Sequence, residues 1–374
     1  MAGIYIHIPF CKQACNYCNF HFSTSTNHID SFIDALLKEI IYKKDYLGNQ
    51  PIQTIYFGGG TPSLLSISQF NTILNLVFCH YSIVDLPEIT LEVNPENVTI
   101  ENLKQWKQLG INRVSMGVQS FHDEELKFMN RSHNALQAIS CLDLLNKEFT
   151  NYSVDLIFGS HLQNIDTLKN NIDTLLSFKP PHISCYALTV EEKTKLSYLV
   201  NKNALFEPKQ EFQNKAFYLI KDTFESFGYN HYEISNYALP GFESKHNSSY
   251  WNGSSYLGFG PSAHSYNKTS RSWNIANNAL YIKGADNFDS IIETEMLTPT
   301  QIVNEFIMIG LRTKKGVNFN ELFSLTNLGQ YEQIKNKVNA YIAKNFIANN
   351  NSNFYLTKEG LIFADGIASD LFVN

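Results

Sequence analysis

Three cysteines stand as Cys11-x-x-x-Cys15-x-x-Cys18, directly after the apolar run Gly3-Ile4-Tyr5-Ile6-His7-Ile8-Pro9-Phe10. Thiolates are the usual ligands of iron–sulfur clusters, which commonly take four of them. A short loop offering three satisfies three irons of a cubane cluster and leaves the fourth open to a ligand that is not a side chain. A structural zinc site would need a fourth Cys or His. His7 and His21 are the nearest, but His7 projects from an expected strand and His21 lies beyond the loop. The remaining cysteines, Cys79, Cys141 and Cys185, are scattered and form no disulfide framework.

The elements around these thiols must hold them at one end of a sheet. In the first half of the chain, apolar β-rich runs alternate with stretches of helical periodicity, the pattern of successive βα units on a parallel sheet. Strands are expected at Ile4–Ile8, Gln53–Phe57, Glu88–Val93, Asn112–Val118, Tyr152–Phe158 and His182–Ala187. Amphipathic helices are expected at Asp30–Tyr46, Ser68–His80, Ile100–Leu109, Asp123–Asn146 and Asp166–Phe178. The chemically capable residues cluster where those strands end: the cysteines, then Gly58-Gly59-Gly60-Thr61-Pro62, Glu92, Gln119, Asp155 and Ala187. That rim is where βα barrels place their active sites. Six units fall short of a closed eight-stranded barrel, so the fold class expected is α/β, an open six-unit partial barrel over residues 1–206.

A helix is expected from Glu207 to Gly228, within a segment 207–297 that reads as an irregular β extension of the barrel's mouth. From Thr298 the pattern changes to helices (Gln301–Arg312, Gly329–Lys344) followed by strands at Phe346–Ala348 and Phe354–Thr357 across an Asn-rich turn. This predicts a small α+β winged-helix-like domain over 298–374. Its seven Lys/Arg against six Asp/Glu give no basic footprint for nucleic acid, so docking or a lid is the expected role.

The whole chain of 374 residues has net charge −6, which excludes a strongly basic surface for nucleic acid or an anionic membrane. No apolar run approaches the roughly 18–20 residues that span a bilayer, and the N-terminus has no signal-peptide pattern. A cytoplasmic protein is expected. Its 27 Phe and 20 Tyr are read chiefly as core packing.

Taken together, Tyr5-Ile-His-Ile-Pro-Phe-Cys-x-x-x-Cys-x-Tyr-Cys, Gly58–Pro62, Glu92-Val-Asn-Pro, Ser115-Met-Gly-Val-Gln-Ser-Phe, Asp155-Leu-Ile and Tyr232-Glu-Ile-Ser-Asn-Tyr-Ala resemble, in order, the radical S-adenosylmethionine (SAM) proteins of the oxygen-independent coproporphyrinogen III oxidase family. The resemblance implies a [4Fe-4S] cluster on Cys11, Cys15 and Cys18 whose open iron is chelated by SAM. It also implies one-electron cleavage of the sulfonium, fed by an electron donor. It further implies SAM contacts from Glu92, Gln119, Arg131 and Asp155. Gly59, Gly60 and Thr61 would let backbone approach the methionine end, and Tyr5, Tyr17 and Ala187 would pack against the cluster or adenine.

Two kinds of family member are distinguished by sequence. The oxidases resemble Cys-x-x-x-Cys-x-x-Cys-x-Cys, whereas this chain has Phe20 at the last position. It carries instead His246-Asn247-Ser-Ser-Tyr250-Trp251, similar to a His-Asn-x-x-Tyr-Trp motif of the family's haem-chaperone members. This implies haem bound through His246, Asn247, Tyr250 and Trp251, with His264 a second candidate. The implied partner is a haem-acceptor protein, with room for peripheral docking to a membrane haem protein. The alternative activity is oxidative decarboxylation of coproporphyrinogen III. Ser160-His161 and Pro261-Ser262 depart from the family's usual loops.

Overall fold

Long apolar runs that contain no alternation need burial on both faces, and a parallel sheet flanked by helices supplies it. The computed structural model describes residues 1–373 and places six such strands in one sheet: β1 (Ala2–Ile8), β2 (Ile52–Gly59), β3 (Ile83–Val93), β4 (Arg113–Gln119), β5 (Tyr152–Phe158) and β6 (His182–Ala187). All five neighbouring pairs are parallel. The sheet continues as β7 (Asn230–Glu233), β8 (Asn236–Ala238), β9 (Tyr256–Phe259), β10 (His264–Tyr266), β11 (Ser270–Asn274) and β12 (Ile292–Met296). The order β12-β11-β10-β9-β1-β2-β3-β4-β5-β6-β8-β7 puts β12 and β7 at opposite ends, so the sheet is open.

Two features of this order differ from the sequence expectation. The 207–297 segment is not merely an irregular extension of the mouth, because β9 pairs parallel with β1 as a seventh parallel strand. Its four residues lie in a Gly- and Ser-rich tract and are too few to show a period. The expected helix Asp123–Asn146 is two helices, Asp123–Phe128 and Ala135–Glu148. Asn130 breaks it in the left-handed region at φ 57°, a conformation Asn tolerates better than most side chains. Asn134 then caps the second helix in a reciprocal pair with Gln137. A further short helix, Lys195–Asn201, stands where none was expected.

The helix Ile29–Tyr42 illustrates how the layers lock. Phe32, Ile33, Leu36 and Ile40 face the sheet, while Glu39 and Lys43 form a buried ion pair at 2.6 Å. Glu39 also accepts from the Gly260 amide (2.8 Å), Asn274 Nδ2 (2.6 Å) and the Tyr281 hydroxyl. Lys43 donates to the Gly258 carbonyl and to Asn274 Oδ1. This knot fastens the first helix to β9–β11. Removing one member of a buried pair strands the other, so Glu39→Ala is expected to cost on the order of 3–5 kcal/mol of unfolding free energy. Urea titration followed by circular dichroism checks it; a loss below about 1 kcal/mol would mean the knot is not structural.

The C-terminal part has its own apolar core, from Val303 and Ile307 to Ile367 and Leu371. Helices Pro299–Leu311, Phe319–Leu325 and Leu328–Ala343 precede the antiparallel hairpin Ile347–Asn349 and Asn353–Leu356, which a short strand at Val317–Asn318 joins. This is the expected winged-helix arrangement, with one additional short helix. Among the described residues no helix is long and apolar enough to cross a membrane.

Candidate functional site

The cysteine loop leaves β1 and returns on itself. The Cys11 amide donates to the Ser23 carbonyl at 3.0 Å, and the Ser23 amide to the Pro9 carbonyl at 2.8 Å. The tip is pinned to the break between the two helices: the Asn16 amide donates to the Met129 carbonyl, Asn130 Nδ2 to the Ala14 carbonyl, and Gln13 Nε2 to Asn130 Oδ1. The left-handed turn at Asn130 therefore both receives the loop and delivers Arg131 beside it.

Cys11, Cys15 and Cys18 all line one cavity of about 420 Å3 at the C-terminal ends of the parallel strands. Tyr17, Gly59, Gly60, Thr61, Glu92, Gln119, Arg131, Asp155 and Ala187 line the same space. Among the described residues no three ligand-type side chains close on a single point; the thiols face a shared volume instead. Burial pushes the Cys11 thiol up to about 11 and raises that of Cys18, so the loop holds its thiolates poorly without positive charge to receive them. A [4Fe-4S] cluster supplies that charge, and the donor set suits it. The guanidinium of Arg131 lies with Nη1 3.3 Å from Cys15 Sγ, and donates through Nη2 to Asn94 Oδ1 (2.6 Å) and the Gly117 carbonyl (2.8 Å). Its Nε is buried without a partner.

The glycines are spatial requirements. A Cβ at Gly60 would sit 2.7 Å from the Phe10 carbonyl oxygen, and one at Gly59 (φ 107°) 2.4 Å from the His7 ring. With Cβ absent, the Gly60 and Thr61 amides donate to the carbonyls of Ile8 and Phe10, and the Gly59 amide donates to Glu92 Oε2 at 3.1 Å. Glu92 also accepts from the Tyr56 hydroxyl at 2.8 Å. Burial pushes its carboxyl up to about 7, against the relief those donors give. Burial likewise raises Asp155, opposed by Ser184 and the charge of Arg113. Gln119 reaches the cavity because the β4–β5 register slips between Gly117 and Gln119, which turns Gln119 to φ 70°.

Asn94, Ser115, Tyr186, Thr189 and Glu191 also line the cavity and were not singled out from sequence as ligand contacts. Asn94 and Ser115 lie inside the family-like stretches quoted from the sequence, whereas Tyr186 at the end of β6 and Thr189 and Glu191 beyond it had position as their signal. Arg113 was missed as well. It is 1% exposed, and its Nε has no partner. The two-residue period Arg113, Ser115, Gly117 places it on the same face as the cavity residues, one step deeper.

Tyr5 lies outside this cavity. Its hydroxyl meets His7 Nδ1 at 3.1 Å, and its ring stacks on Tyr56 and His246. His246 sits on the helix Lys245–Trp251, capped by Ser244, and is 1% exposed. Its Nδ1 meets Thr54 Oγ1 at 2.7 Å and its Nε2 the Tyr250 hydroxyl at 2.9 Å. Burial, with the Arg113 charge, lowers its pKa to about 3. In this conformation both imidazole nitrogens are engaged by protein hydroxyls. Asn247 is a half-buried residue of the same first turn, whose amide bonds the capping Ser244. Trp251 lies under the Arg312 guanidinium at 5.4 Å. His264 is exposed on β10 with its ring 6.0 Å from Trp273.

Sequence and structure comparisons agree with this geometry. Residues 5–175 match the Radical SAM superfamily and residues 297–363 the HemN C-terminal domain. The chain is 33% identical to "Heme chaperone HemW" of Bacillus subtilis over 98% of both chains. It is 32% identical to "Heme chaperone HemW" of Lactococcus lactis over 97% of this chain and 95% of that one. Its fold superposes on the structure of coproporphyrinogen III oxidase (HemN) from Escherichia coli with a TM-score of 0.86, covering 100% of this chain and 90% of that one, at 19% identity. The open sheet, the cavity at its rim that all three thiols line and these full-length likenesses place the chain in the radical SAM superfamily, as a member of the oxygen-independent coproporphyrinogen III oxidase-like family to which the HemW proteins belong.

Proposed function

We propose that this protein is a haem chaperone, which binds haem beside a [4Fe-4S] cluster and SAM and hands the haem to an acceptor protein in the cytoplasm. The observation that carries this reading over an oxidase is Phe20. It stands at the rim of the thiol cavity, 66% exposed, where the resembling oxidases have another cysteine. Full-length likeness to two proteins named heme chaperones supports it.

In this reading Cys11, Cys15 and Cys18 hold the cluster, while the Gly59–Thr61 backbone shapes the methionine end of the cavity. Glu92, Asp155 and Gln119 orient the ammonium and hydroxyl groups of SAM, and Arg131 neutralises thiolate and carboxylate charge. Tyr17 and Ala187 supply apolar wall. When bound, cluster and SAM supply one-electron reductive chemistry at the sulfonium, given an electron donor; the protein's part is to orient them and exclude water. The His246–Trp251 segment belongs to haem handling, and the C-terminal domain to docking the acceptor.

One anaerobically reconstituted sample tests both activities. It is expected to take up one haem per chain in a Soret titration and to leave coproporphyrinogen III unchanged. Turnover to protoporphyrinogen IX would overturn the chaperone as the primary function.

A further inference from the structure

A second, larger cavity of about 660 Å3 lies between the sheet and the C-terminal domain. Its walls include Ala187 at the end of β6, Phe217 on the helix Gln210–Ser226, and Tyr341, Phe346 and Phe363 from the C-terminal domain. Phe346 and Phe363 pack with their rings tilted by 43° and their centres 5.2 Å apart. Ala187 lines the thiol cavity too, so the two spaces meet at one residue. The volume falls within the range of roughly 300–1,000 Å3 typical of ligand sites, which favour domain interfaces.

Among the described residues Arg312 is the one cation on the wall, which its acidic partner Asp365 also lines. Its Nη1 bonds Asp365, whose side chain is 81% exposed, at 2.5 Å. Its Nε is buried and unpartnered, and its guanidinium rests on the indole of Trp251. A pair with so exposed a partner contributes little, so a ligand carboxylate can take the place of Asp365. Aromatic walls with one guanidinium suit a broad, flat, apolar ring bearing carboxylate arms.

Resting on the haem reading above, we propose that haem is seated in this interdomain cavity, with a propionate on Arg312. The His246–Trp251 motif then acts through position: His246 locks the short helix against β2, Trp251 projects from its end, and Trp251 holds Arg312 at the cavity wall.

The test is haemin titration of the full cluster-loaded chain, read by Soret absorbance. Arg312→Gln and Phe363→Asp are each expected to weaken binding about tenfold or more, the loss of one charge-assisted contact or of one aromatic wall. Cluster iron and sulfide should be unchanged in both variants. Phe363 is half-exposed, so its substitution decides the matter even if Arg312→Gln does not fold. Both variants binding as tightly as the parent would overturn the interdomain seat and leave the haem reading intact. Absence of binding by the parent chain would overturn the haem reading itself.

Discussion

Cys15→Ala is expected to leave a folded protein with no stoichiometric iron or acid-labile sulfide after anaerobic reconstitution, against four of each for the parent chain. Cys15 sits at the centre of the triad and is the thiol that Arg131 contacts. Its loss removes a ligand and also leaves the Arg131 guanidinium, already buried with an unpartnered Nε, without its sulfur acceptor. Fold retention follows from the loop's fastenings, which are backbone and Asn contacts at Pro9, Cys11, Ala14, Asn16 and Ser23 rather than thiol contacts. Four irons per chain in this variant would defeat the cluster assignment. Unfolding would instead show that the loop depends on the cluster.

Glu92→Gln is expected to stabilise the cluster-free chain at pH 8 while abolishing SAM binding. The Glu92 carboxyl is raised from its usual value near 4.5 to about 7. A raised carboxyl favours the protonated form in the folded state, so its contribution is fully present below about pH 4.5 and lost as pH rises through 7. The span corresponds to on the order of 3 kcal/mol. Gln keeps the shape, can accept from the Gly59 amide and donate to the Tyr56 oxygen, and carries no charge to bury. The melting temperatures of variant and parent should therefore coincide near pH 4.5 and diverge toward pH 8, the variant being higher. Parallel pH profiles would show that Glu92 is not buried as a charge. Retained SAM binding by equilibrium dialysis would show that it does not serve the ligand.

The parts legible in the sequence are those set by local pattern. The six parallel strands read as apolar runs because both faces are covered, and strand ends announced the cavity residues from Gly59 to Ala187. Arg131 was named from the family resemblance, but the helix expected around it was wrong. Residues 123–146 keep a polar and apolar alternation compatible with one helix, and only the left-handed Asn130 together with the Asn134 cap breaks it. The surroundings of His246 were illegible for a different reason. Thr54 is 192 residues away in sequence, and no periodicity reports that a side chain's two nitrogens are already engaged. The Arg312–Trp251 contact joins two regions that sequence reading kept apart for the same reason.

The parallel pairing of β9 with β1 sets a clock on biosynthesis. Ile6 pairs with Phe259, roughly 250 residues later. At about 5–20 residues per second, the strand that leads into the cysteine loop emerges from the ribosome on the order of ten seconds or more before its second neighbour exists. Throughout that interval β1 has an open edge, which is an invitation to wrong pairing. The Glu39–Lys43 knot closes onto the same late segment. Cluster loading before release would thus meet a loop whose base is half built, and the mature iron site belongs to the finished chain.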